Sequence, residues 1–62
     1  MHHYYRFIKS KFDDCKQKIL EQAQSDKFRL RLLSENDAYE DSDMDRINVV
    51  LKNDVIIDIY KG

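Results

Sequence analysis

The chain has a single cysteine, Cys15, so an intrachain disulfide is excluded. That removes the staple on which small secreted domains commonly rely. A single glycine, Gly62, leaves no glycine-rich loop to cradle a phosphate. One thiol is too few for a cysteine metal cluster, and Ser, His and Asp do not recur at a recognisable catalytic spacing. The two histidines, His2 and His3, are adjacent and lack further ligands nearby, so neither a metal nor a cofactor is expected. No apolar run approaches the ~20 residues of a membrane span, and a signal-peptide pattern is missing. These absences argue against an enzyme and against a membrane partner. They favour the cytoplasm, which would be the host cytoplasm if the chain is phage-encoded.

What is present is a small, heavily charged chain. Sixty-two residues make one domain, of which 42% are apolar and 37% charged. A domain of this size buries only about 60% of its unfolded surface, so its core is thin. The net charge of −1 hides a division. Residues 1–31 hold eight Lys/Arg and four Asp/Glu, whereas residues 32–62 hold three Lys/Arg and eight Asp/Glu. Such polarity orients an encounter with a charged partner.

Residues 1–10 read as an N-terminal arm, and residues 11–62 as the scaffold. Tyr4, Arg6 and Ile8 alternate with Tyr5 and Phe7, which suits an extended arm or edge strand. Tyr5, Ile8 and Phe12 also fit the start of a helix, and the extended arm is preferred. Ser10 is the expected N-cap, with Asp13 three residues on and Asp13 and Asp14 in the first turn. Phe12, Cys15, Ile19 and Ala23 recur at helical spacing, which predicts a helix over 11–24 ended by Ser25-Asp26. Cys15 falls on that apolar stripe and reads as packing rather than as a nucleophile. Phe28, Leu30 and Leu32 alternate with Arg29 and Arg31, giving a strand with one buried and one basic face. Ile47, Val49 and Leu51 point inward in a second strand over 46–52. Asn53-Asp54 is a turn signal, and Val55 to Tyr60 is the return strand of a hairpin. The expected core places Leu30, Leu32, Ile47, Val49 and Ile57 against Ile19 and Phe12.

Between the first two strands lies the stretch Ser34 to Asp45, with six carboxylates and no Lys or Arg. It follows neither a helical nor a strand period. It is too short for a crossover helix and long for a hairpin turn, so parallel flanking strands would make it an exposed arch. An acidic segment held between two strands reads as a presented binding surface. The fold class is thus α+β: one helix on a small three-stranded mixed sheet, with a long exposed acidic loop and an extra N-terminal edge strand or arm.

This order of elements resembles the potato inhibitor I family of small serine-protease inhibitors, bacterial relatives included. Asp45-Arg46-Ile47-Asn48-Val49-Val50-Leu51 is similar to the family's Asp-Arg-aliphatic-x-aliphatic segment after the protease-binding loop. Asp14-Cys15-Lys16-Gln17-Lys18-Ile19-Leu20 resembles its acidic-start helix, and Ile59-Tyr60-Lys61-Gly62 its terminal glycine. The resemblance implies that Arg46, and the residue at Asn48, brace the loop from beneath, with Asp41 or Asp43 accepting from the guanidinium fork. In the same register Glu40 takes the place of the residue offered to the protease pocket, followed by Asp41. Tyr39 replaces the expected Thr, Ser42-Asp43 replaces the expected basic residues, and Lys61 stands where some relatives have Cys.

Two functions follow as expectations. In one, the chain is a protease inhibitor, and Glu40 asks for a glutamate-preferring enzyme with a basic pocket. In the other, it is a phage-type anti-defence inhibitor, anti-CRISPR-like, whose acids stand in for the phosphates of a nucleic acid on a basic protein surface. The partner-binding residues are Glu35, Asp37, Tyr39, Glu40, Asp41, Asp43 and Asp45, and the loop-bracing residues are Arg46 and Asn48. The partner in either case is another protein, a protease or a nucleic-acid-binding protein. Direct nucleic-acid binding through Arg29, Arg31 and the aromatics Tyr4, Tyr5 and Phe7 is not expected, because in a domain this small those aromatics read as core or arm.

Overall fold

The computed structural model describes residues 2–37 and 43–62. Its elements in chain order are α1 (His2–Tyr5), α2 (Phe12–Ser25), β1 (Arg29–Ser34), β2 (Arg46–Lys52) and β3 (Val55–Lys61). The sheet order is β1-β2-β3. β1 and β2 are parallel, with Leu30 opposite Ile47 and Leu32 opposite Val49, while β2 and β3 are antiparallel. The architecture is therefore the expected α+β mixed sheet with one main helix. Among the described residues no helix is long and apolar enough to cross a membrane.

The helix α2 forms because Phe12, Cys15, Ile19 and Ala23 lie on one stripe, and all four are buried. Its start differs from the expected one. Lys11 is the N-cap, and no side chain caps the helix. Ser10 is engaged elsewhere: its carbonyl accepts from Ile56 N, and Phe12 N donates to the Asp54 carbonyl. Pairing with the hairpin thus takes the backbone groups that a serine cap would have arranged. At the other end Phe28 N donates to Ala23 O, and Lys27 N to Gln24 O, with Lys27 at φ 61. This is the Schellman arrangement, with lysine in the left-handed position that glycine normally takes.

The N-terminal segment is not an extended arm. It begins as the short helix α1, continues through turns in which Phe7 N bonds Tyr4 O and Ile8 N bonds Tyr5 O, and only then extends. Residues 9–12 run beside the start of β3, with Lys9 N donating to Ile56 O and Lys11 bridging Val55. The helical turn wins because it buries Tyr4 and Phe7, two of the large apolar groups that a thin core requires. Tyr4 reaches the far end of α2, where its hydroxyl donates to Asp26 at 2.6 Å.

The core is one cluster: Tyr4, Phe7, Phe12, Cys15, Ile19, Ile47, Val49, Ile56 and Ile59. Ile47 and Val49 are buried as expected, and Leu30 packs at the margin. Leu32 and Ile57 depart from expectation, at 48% and 42% exposure. Leu32 sits on the helix-facing side of the sheet near the end of an edge strand, beyond adequate cover. Ile57 is displaced by a bulge: Val50 pairs with Asp58 but Leu51 pairs with Ile56, which leaves Ile57 unpaired. The bulge turns both Ile56 and Ile59 inward, three residues apart, where simple alternation would point only one of them in. Asn53 and Asp54 have φ of 52° and 67°, the double left-handed geometry of a tight two-residue hairpin turn.

Candidate functional site

The sheet has a second face, opposite α2, and its residues follow from strand alternation. β1 contributes Arg29, Arg31 and Leu33; β2 contributes Arg46, Asn48 and Val50. The parallel register sets Arg29 beside Arg46 and Arg31 beside Asn48. Asn48 is fully buried and Leu33 nearly so, although neither belongs to the main apolar cluster.

Burial of an amide requires partners, and Asn48 has them. Arg31 Nε donates to its Oδ1 at 2.7 Å, while its Nδ2 donates to Gly62 O at 2.9 Å. Arg46 Nε donates to the same Gly62 oxygen at 3.0 Å, and Gly62 N donates back to Arg46 O. Arg31, Asn48, Gly62 and Arg46 thus form one hydrogen-bonded chain across three elements. Among the described residues no buried side-chain polar atom lacks a partner.

Both feet of the acidic segment have side-chain contacts of their own. At the first, Ser34 N donates to Asp37 Oδ2 at 2.8 Å, and Asp37 N returns to Ser34 O. Glu35 pairs with Lys52 at 3.4 Å. At the second, Asp45 N donates to Asp43 Oδ1 at 2.8 Å in a turn closed by the side chain. Asp43 also pairs with Arg29, and Arg29 N donates to Asp45 O, so the parallel ladder runs into the segment. These ion pairs are partly exposed, and each contributes at most about 1 kcal/mol. Met44 stands out between them at 79% exposure, beside a shallow hollow of about 200 Å³ lined by Asp43, Met44, Lys61 and Gly62.

Of the residues expected to contact a partner, Glu35, Asp37, Asp43 and Asp45 are at the two feet, whereas Tyr39, Glu40 and Asp41 lie outside the described residues. Arg46 and Asn48 lie in the first half of β2, on the sheet face opposite α2. Among the described residues, Arg46 and Asn48 both donate to Gly62 O, and Asp43 pairs with Arg29; the expected acceptor Asp41 lies outside the described residues. Arg29, Arg31, Lys52 and Gly62 were missed as part of the frame. Alternation put Arg29 and Arg31 on one face, but only the parallel register sets them beside Arg46 and Asn48.

Other titratable groups of note lie in the helix layer. Burial pushes the Cys15 thiol up, with Asp14 and Asp54 adding to the shift and Lys18 opposing it, so the thiol stays protonated and donates to Lys11 O. The Tyr4 hydroxyl is raised by burial and by its bond to Asp26. Asp26 is lowered by the Tyr4 hydroxyl first, then by Gln22. Among the described residues no three His, Cys, Asp or Glu side chains group to hold a metal ion. Comparison of the chain with protein-family models, curated proteins and solved structures finds no match.

Proposed function

We propose that the protein is a small non-enzymatic inhibitor that presents the segment 34–45 to a partner protein in the manner of a potato inhibitor I scaffold. The observation that carries this reading is the pairing of both feet with the sheet, Glu35 with Lys52 and Asp43 with Arg29, beside the Arg31–Asn48–Gly62–Arg46 hydrogen-bonded chain that holds Asn48 buried. A segment whose ends are fixed loses less conformational freedom on docking, so a short contact surface suffices for tight binding. A purely solvating acidic loop would need no such frame.

Mimicry of a nucleic acid is the second reading, supported by the six carboxylates of the segment. Among the described residues of the segment, Glu35 and Asp43 are paired internally, which reduces the charge left for a basic partner. The anchored-segment reading is therefore preferred. The deciding measurement is an inhibition panel of serine proteases, glutamyl endopeptidases included, with the wild-type chain and Glu40→Gln. Inhibition that depends on Glu40 and hardly on salt supports the inhibitor reading. Absence of inhibition at micromolar concentration, with binding of a nucleic-acid-binding protein that falls steeply with salt and with each neutralised acid, supports mimicry instead.

A further inference from the structure

The excess of positive charge in the first half of the chain has its own location. Where the turn after α1 meets the first two turns of α2, the surface forms a groove of about 590 Å³. Arg6, Lys11 and Lys18 line it, together with Ser10 and Phe7, and Asp14 is the carboxylate among its lining residues. Lys11, Asp14 and Lys18 follow one face of α2 at helical spacing. The Arg6 guanidinium rests over the Phe7 ring at 4.7 Å. None of the three cations is in an ion pair among the described residues, in contrast to Arg29 and Lys52 on the sheet.

Three like charges around one groove repel each other, and one carboxylate leaves an excess of two positive charges there. A phosphate ester carries the matching charge, and its oxygens accept from guanidinium, ammonium and hydroxyl donors alike. A nucleic-acid backbone would need a longer basic track. The sheet arginines do not extend this one, because Arg29, Arg31 and Arg46 lie on the sheet face opposite α2. We propose that this groove binds a small phosphate ester, with the phosphate held among Arg6, Lys11, Lys18 and the Ser10 hydroxyl.

The test is a titration of the full chain with ADP, followed by amide chemical shifts at about 0.15 M salt, where long-range attraction is screened. Inorganic phosphate and citrate form separate arms. Expected are saturable shifts confined to residues 6–18, with a Kd for ADP below about 1 mM, weaker binding of phosphate and none of citrate. Lys11→Ala and Lys18→Ala should each weaken ADP about fivefold, while Lys16→Ala, on the same helix but outside the groove, should not. The same spectra report whether each variant is folded. Shifts that fail to saturate, citrate binding as tight as ADP, or an equal loss in Lys16→Ala would each overturn the proposal.

Discussion

The two faces of the sheet are built on different physics. On the helix side, Ile47, Val49, Ile56 and Ile59 meet Phe12, Cys15, Ile19, Tyr4 and Phe7 in a dry cluster that is tolerant of exact partners but intolerant of lost volume. On the other side, Asn48 is buried among Arg31, Arg46 and Gly62, where each group depends on a particular partner. The first face supplies most of the stability. The second supplies geometry, because directional bonds fix how β1, β2 and the C-terminal Gly62 sit beside one another. Mutation on the two faces should therefore separate stability from presentation.

The largest effect is expected on the apolar face. Ile47→Ala removes a fully buried side chain and should cost about 2–4 kcal/mol in urea denaturation. That is a large part of the stability of so small a domain. A midpoint close to wild type would mean that the cluster is not the seat of stability.

Asn48→Ala comes next, at about 1–3 kcal/mol, because it strands donors on Arg31 and takes a donor from Gly62. Its second signature matters more: amides of Asp45 and Arg46 should exchange faster than those of Ile56 and Ile59. Uniform acceleration across the sheet would instead describe general destabilisation and erase the distinction between the faces.

A pH dependence probes the helix side alone. Asp26 is lowered in the folded state, so the unfolded chain binds its proton more readily in acid, and stability falls as pH drops below the ordinary carboxylate range of about 4. Tyr4 is raised, so the folded chain retains its proton above about pH 10 while the unfolded chain loses it, and stability falls again as pH rises. Tyr4→Phe should flatten both limbs. Thermal melts across the pH range that keep an unchanged acid limb in Tyr4→Phe would dissociate Asp26 from this contact.

The smallest effects sharpen the contrast. Arg29→Ala should cost under about 1 kcal/mol, since its pair with Asp43 is partly exposed, and raised salt should reproduce part of the loss. Faster exchange at Asp45 without a change in midpoint is the expected result. Ile57→Ala should likewise stay under about 1 kcal/mol, because the bulge has already turned that side chain toward solvent. A cost equal to that of Ile47→Ala would show that Ile57 belongs to the core after all.

How much of this was legible in the sequence follows from the range of each interaction. Helical spacing of Phe12, Cys15, Ile19 and Ala23, the Asn53-Asp54 turn and the alternation of Ile47 and Val49 are local patterns, and they determined α2, the hairpin and one face of β2 by themselves. Tertiary structure decided the rest. α1 formed in place of an extended arm because Tyr4 and Phe7 are needed in a core that no local signal can reveal. Ser10 lost its capping role to pairing with Ile56. Inward facing of both Ile56 and Ile59 depends on a bulge set by strand pairing. The hydrogen-bonded chain of Arg31, Asn48, Gly62 and Arg46 joins residues 14 to 17 apart in sequence, which have no reason to be associated until strand pairing brings them together.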